Sequence, residues 1–210
     1  SEELEEAIPE PPIDADPPTS MYFPNDEGTG WETVSSEQLD WNDSGIESLK
    51  DYLIESNSKS FMMLVNGRIV MEEYFDGHAK SDTWQWNSAG KTLVTSTVGI
   101  AQQNLLLNIE DKASDHLGTS WTNMAPDKED LIKVNHLLTM TSGIDDIKQY
   151  IIKDNLTYVA DAGSRWSYGN VFQKLMEIVS ESSTEPFEDY FDQQLASKIG
   201  MNVFWKFGLV

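Results

Sequence analysis

The sequence contains no cysteine, which removes disulfide staples, cysteine-ligated zinc and thiol nucleophiles from consideration. It contains only three histidines. His78, His116 and His136 lie far apart and lack metal-ligand spacing, so they read as surface or helix-end residues rather than ligands or bases. No metal or organic cofactor is implied. No run approaches the roughly 18 to 20 apolar residues that cross a bilayer. There is no basic stripe to neutralise phosphates, which sets nucleic acid aside as a partner.

The shortage of positive charge is local. The net charge is −22, yet residues 1–49 hold 14 acids and no Lys or Arg, whereas residues 50–210 hold 22 acids and 14 bases. The first 49 residues also hold six of the eight prolines, a composition that cannot order itself by burying apolar surface. Residues 1–20 are therefore expected to be an acidic, Pro-rich tether, with an acidic tail that binds a metal or partner as the sharper reading. Residues 21–44 are expected to be a lead segment packing on the domain formed by 45–210. The start at Ser1 and the acidic lead suggest an extracytoplasmic bacterial protein, periplasmic or at the cell surface, whose signal or anchor has been removed. Any membrane tether would act through that removed N-terminus. With 39% apolar residues the chain can bury one core, and one compact unit is expected.

Ile46, Leu49, Tyr52 and Leu53 recur at helical spacing after Asp43-Ser44, which predicts a capped helix over about 45–56. Two β-rich runs, 61–65 and 68–75, flank Asn66-Gly67, the dipeptide that best tolerates positive φ at both turn positions. This is a hairpin. Its first strand, Phe61 to Val65, is apolar without alternation and should be covered on both faces. From Ser88 onward the pattern is helical: about 88–105, 110–116, 128–140, 169–182 and 185–198. Thr184-Glu185-Pro186 reads as the start of the last helix, Gly143 as a helix stop, and 203–210 as the beginning of a strand. The fold class is α+β. A hairpin with two apolar faces needs further strands, so the rest of its sheet is expected from a second chain, a cleaved remainder or a second copy of this one. A small self-sufficient α+β domain is the alternative.

Ser88-Ala89-Gly90-Lys91 opens an apolar helix in which Ser88 and Lys91 are i,i+3 neighbours on one side of the first turn. A serine hydroxyl is a poor nucleophile until a nearby group takes its proton. An amine one turn away does this when neutral, the form favoured by burial and by the positive end of a helix. The Ser88 backbone N–H is then available as an oxyanion donor. A cap serine followed by a surface lysine is the plain alternative. Ser56-Asn57-Ser58-Lys59 has the same letters in a polar loop, where nothing aligns the two side chains. Tyr168-Gly169-Asn170 precedes another apolar helix. A phenol beside an ammonium can relay protons, and an Asn amide can bond both lysine and substrate. An ordinary loop tyrosine and helix-start asparagine is the alternative there. Trp84, Trp86, Trp121 and Trp166 lie near these motifs, and core packing is the expected role for each, with lining of a cleft as the alternative.

The ordered set of 61–68, Trp86-Asn87-Ser88-Ala89-Gly90-Lys91-Thr92-Leu93, 136–144, Trp166-Ser167-Tyr168-Gly169-Asn170 and 198–201 resembles the serine β-lactamase-like family. That family includes class C β-lactamases, penicillin-binding D,D-peptidases and related esterases and amide hydrolases. The resemblance implies a β-lactamase/transpeptidase-like fold, with a helical region plus an N-terminal hairpin of an antiparallel sheet whose other strands are missing here. It implies a serine hydrolase acting through an acyl-enzyme on an ester, amide or β-lactam-like substrate. Ser88 would be acylated, Lys91 would accept its proton, Tyr168 would be the second acid/base, and Asn170 would bind substrate and lysine. Family members continue into strands bearing Lys-Thr-Gly or His-x-Gly and a second oxyanion N–H. Neither motif follows Asn170 in this chain. A non-catalytic fragment or pseudo-enzyme that binds a peptide or protein partner, and one chain of a two-chain hydrolase, are the other readings.

Overall fold

The computed structural model describes residues 16, 19–24, 30–147 and 150–201. The chain divides into two compact units, Ser1–Trp84 and Gln85–Val210, where composition led to an expectation of one. The tether expected over 1–20 lies almost wholly outside the described residues, as does the strand expected over 203–210.

In the first unit, helix α1 (Asp43–Glu55) precedes antiparallel strands β1 (Ser60–Val65) and β2 (Arg68–Tyr74). The cap of α1 is Asn42 rather than Asp43 or Ser44: its side chain accepts from the Ser44 and Gly45 N–H groups at 2.9 and 3.3 Å. Asn66 and Gly67 have φ of 50° and 81°, the left-handed pair that a two-residue hairpin requires. Only glycine fits at 67, because a Cβ there would stand 2.1 Å from the Tyr22 carbonyl oxygen. The lead segment runs beside β2, with Thr33 in a parallel bridge to Ile69 and Val34 buried. Arg68 fastens it by pairing with Glu32 at 2.7 Å and donating to the Ser20 carbonyl at 2.8 Å.

Strand β1 does not have two covered faces. Phe61, Met63 and Val65 are half-buried, whereas Met62 and Leu64 are exposed. The pleat imposes alternation even on an unbroken apolar run.

In the second unit, the helix expected over 88–105 starts as a 3-10 turn, Asn87–Gly90, and continues as α2 (Lys91–Gln103). Helix α3 (Ala113–Leu117) follows. The single helix expected over 128–140 is two, α4 (Pro126–Glu129) and α5 (Val134–Leu138). Between them Asp130 and Leu131 form a turn, and Lys133 is extended and forms an antiparallel bridge with Lys112, while the Ala113 N–H takes the Ile132 carbonyl at 2.8 Å. Gly143 is not the stop of α5, which ends at Leu138. At φ 75° Gly143 instead lets the backbone approach Ala160, whose carbonyl oxygen would lie 2.1 Å from a Cβ. Its own carbonyl accepts from the Val159 and Ala160 N–H groups.

The turn Asn170–Gln173 leads into α6 (Lys174–Ser183), and α7 (Phe187–Phe191) runs on into a π turn, Asp192–Ala196. Thr184 does not cap α7. It ends α6 in the left-handed conformation, and Pro186 is the cap residue. Helix α6 is central: α2, α3, α5 and α7 all pack against it. Val94, Val98 and Ala101 of α2 meet Leu175, Ile178 and Val179 of α6 in one fully buried cluster.

Glu129 is only 4% exposed. Its carboxylate accepts from the Ser120 N–H at 2.7 Å, the Thr122 N–H at 2.8 Å and the Thr122 hydroxyl at 2.5 Å. It ties the 118–124 loop to α4. Glu129→Ala leaves these donors unsatisfied, and a loss of about 3 kcal/mol in urea unfolding is expected; an unchanged midpoint would show that the carboxylate contributes nothing.

Candidate active site

Residues 91, 94, 98 and 101 share one stripe of α2, the i, i+3, i+7 and i+10 positions of a helix. Val94, Val98 and Ala101 bury that stripe, so Lys91 is carried inside with them and is 7% exposed. A buried ammonium needs partners. Its Nζ donates to Ser88 Oγ at 3.4 Å, lies 5.2 Å from the ring centroid of Tyr168, and lies 5.9 Å from that of Phe172.

Ser88 is set by the turn before α2. Asn87 has φ 46°, a left-handed conformation that asparagine accepts more readily than most residues. The 3-10 turn begins there, so the Ser88 N–H lies in a first turn, where backbone donors have no intrahelical acceptor. Ser88 is thus within the turn and not its cap.

Tyr168 is half exposed, and its phenol is held below its ordinary pKa. The largest cause is a hydrogen bond with Ser88; a hydrogen bond with Lys91 and its charge act in the same direction, and burial opposes them. Lys91, Ser88 and Tyr168 therefore form one hydrogen-bonded group. As an ammonium, Lys91 can only donate to Ser88, which leaves the serine proton free to point at the phenol oxygen. Asn170 opens the turn that leads into α6, two residues beyond Tyr168.

The other Ser-x-x-Lys is committed elsewhere. Ser56 is the C-cap of α1, and Lys59 pairs with Asp76 and lies over the Trp84 ring. Of the four tryptophans expected in the core, only Trp121 is buried; Trp84, Trp86 and Trp166 are exposed. His116 bridges Asp111 at 3.2 Å and Ser182 at 3.0 Å. Its His116-Leu117-Gly118 sequence ends α3 and is not on a strand. Among the described residues no cluster of His, Cys, Asp or Glu could hold a metal ion, and no helix is long and apolar enough to cross a membrane.

Phe172 was not singled out from the sequence. Its i,i+4 relation to Tyr168 could have indicated it, but the turn between them is 3-10 and the preceding chain is not helical. Asp146 was also missed, since no local pattern shows that it meets Arg165 and Ser167.

The family model described as Beta-lactamase matches residues 53–205. The octameric penicillin-binding protein homologue from Pyrococcus abyssi is similar in structure, with TM-score 0.65 and 18% identity over 79% of this chain and 45% of that one. A class C beta-lactamase in complex with cefoxitin gives TM-score 0.63 and 19% identity over 76% and 49%. FmtA from Staphylococcus aureus gives TM-score 0.62 and 16% identity over 80% and 51%. The chain spans about half the length of such solved structures. No curated protein matches the sequence.

Ser88→Ala removes the largest cause of the low Tyr168 pKa. The Tyr168 midpoint is expected to rise toward that of an ordinary tyrosine in 13C NMR titrations of ring-labelled protein. An unmoved midpoint would show that Ser88 does not bond the phenol.

Proposed function

Because this chain belongs to the Beta-lactamase family, we propose that it is the acylating portion of a serine hydrolase, with Ser88 as nucleophile, Lys91 and Tyr168 as its proton-handling pair, and Asn170 as a substrate ligand. The observation that carries the reading is the contact of one buried amine with both other groups: Lys91 Nζ is 3.4 Å from Ser88 Oγ and 5.2 Å from the centre of the Tyr168 ring.

The chemistry follows from that contact. Ser88 Oγ attacks the carbonyl carbon of an ester, amide or β-lactam, and its proton passes to the Tyr168 phenolate. Lys91 stabilises the phenolate by a hydrogen bond and by its charge, both of which lower the Tyr168 pKa. The electron pair displaced from the carbonyl rests on its oxygen, facing the Ser88 N–H at the start of the turn. When the tetrahedral centre collapses, the bond to the leaving group breaks and Tyr168 returns the proton to the departing oxygen or nitrogen. The acyl group then remains on Ser88 as an ester. Water, deprotonated by the same phenolate, attacks that ester; as the bond to Ser88 Oγ breaks, Tyr168 returns the proton to that oxygen, and the acid and free Ser88 are released.

The resemblance implied a proton accepted at Lys91. We assign the acceptor role instead to Tyr168, whose phenol is held below its ordinary pKa by Ser88 and then Lys91, with Lys91 beside it. The resemblance implies a second oxyanion donor on a further strand, and an enzyme lacking that donor would turn over about 10²- to 10³-fold more slowly. The same strand would complete the sheet beside β1, which pairs only with β2 among the described residues. The acidic, proline-rich lead supports a site of action outside the cytoplasm, reached by that segment as a tether.

Hydrolysis of p-nitrophenyl esters tests the assignment. Ser88→Ala is expected to reduce it to the background rate. The wild-type rate should rise with pH through the Tyr168 midpoint, below that of an ordinary tyrosine, and Tyr168→Phe should remove that limb. Turnover retained by Ser88→Ala would refute the assignment.

A further inference from the structure

Arg165, Ser167 and Gly169 are alternate residues of one non-helical segment, and all three meet Asp146. The Arg165 guanidinium grips its carboxylate with both terminal nitrogens, each at 3.1 Å. The Ser167 hydroxyl donates to the same carboxylate. Gly169 lies so close that a Cβ there would be 3.7 Å from the Asp146 Cβ. Burial alternates in step: Arg165, Ser167 and Gly169 are half-buried, while Trp166 is 66% and Tyr168 50% exposed. In an extended chain successive side chains point to opposite sides, and Gly169 is extended at φ −161° and ψ 161°. Clamping 165, 167 and 169 therefore turns Trp166 and Tyr168 to the other side.

Asp146 is itself fixed from behind. Ile144 bridges Tyr158, the Asp145 N–H takes the Thr157 carbonyl at 2.9 Å, and the Ser167 N–H takes the Met140 carbonyl at 3.0 Å. Gly143, against Ala160, begins this paired stretch.

We propose that Asp146, Arg165 and Ser167 are positioning residues that hold Tyr168 in reach of Ser88 and Lys91 by clamping the alternate face of its own segment. This rests on the reading of Tyr168 as the proton acceptor of Ser88. A tyrosine on an unanchored loop would spend much of its time away from both partners, and a misplacement of about 1 Å can cost about 10²-fold in rate. The bidentate geometry suits the task, because a planar fork fixes direction as well as distance. Hydrogen bonds from Arg165 and then Ser167 hold the Asp146 carboxyl at about 2, well below the usual carboxylate range. The clamp is therefore complete above the ordinary carboxylate pKa and is lost only as pH falls through about 2.

The test replaces Asp146 by Ala and follows two signals, the 13C titration of Tyr168 and the pH profile of ester hydrolysis. The expected result is a Tyr168 midpoint displaced upward toward the ordinary phenol value, with kcat lower by about 10²-fold, KM little changed and the alkaline limb moved upward with the midpoint. A merely structural role would lower stability and leave the midpoint and the limb in place, which would overturn the proposal. Ser167→Ala, which removes a single hydroxyl, should move both signals in the same direction by less. Arg165→Lys should restore part of the effect of Arg165→Ala. If Asp146→Ala does not fold, judged by near-UV circular dichroism, these two decide the matter. Failure of the Ser88 reading shows itself separately as turnover retained by Ser88→Ala, while the NMR midpoint still reports on the clamp.

Discussion

Lys91 falls on the same helical stripe as Val94, Val98 and Ala101, so packing α2 on α6 takes an ammonium out of water along with three apolar side chains. An unpaired charge in that position would cost several kcal/mol. Everything close to it answers that cost. Ser88 accepts its hydrogen bond, Tyr168 gives it an oxygen and a ring face, and Phe172 gives it a second ring face. Hydrophobic packing thus places the cation, and the cation in turn organises the serine and the phenol. Residues contributed by two distant stretches of sequence become one hydrogen-bonded group because α2 and α6 share a core.

The same logic extends to the segments without regular structure. Among the described residues of 139–169 there is one short turn of helix, Lys153–Asn155, yet this stretch delivers Tyr168. It is held by an isolated bridge between Ile144 and Tyr158, by a glycine pressed against a carbonyl and by one aspartate that gathers Arg165 and Ser167. Glu129 does comparable work for the loop 118–124. These are polar solutions to a backbone problem: a chain outside helices and sheets still has to satisfy each buried N–H and C=O. Because each carboxylate serves several donors, loss of one carboxylate releases a whole loop, whereas loss of one apolar contact does not.

The local features were legible. Asn66-Gly67 between two β-rich runs gave the hairpin, since the turn requires positive φ at both positions and few dipeptides supply it. The existence of the helical stretches followed from their apolar spacing. Their ends did not, because each is set by a partner far away in sequence: the Lys112–Lys133 bridge splits one expected helix in two, and Ala160 explains Gly143 better than the end of α5 does. Asn42 caps α1 where Asp43-Ser44 had been expected to do so. Met62 and Leu64 read as buried because their run is apolar, but the pleat turns them outward. Ser88 and Lys91 were readable as a pair from their spacing, and Tyr168 from its place before an apolar run. The contact between the two motifs and the role of Asp146 required the fold.

Ser88, held between Lys91 and Tyr168, is expected to be an activated nucleophile. Exposure of the protein to a fluorophosphonate probe, followed by intact-mass analysis and peptide mapping, tests this expectation most directly. One adduct is expected, on Ser88, absent from Ser88→Ala and never on Ser56. A folded protein that takes up no probe, or takes it up on another serine, would contradict it.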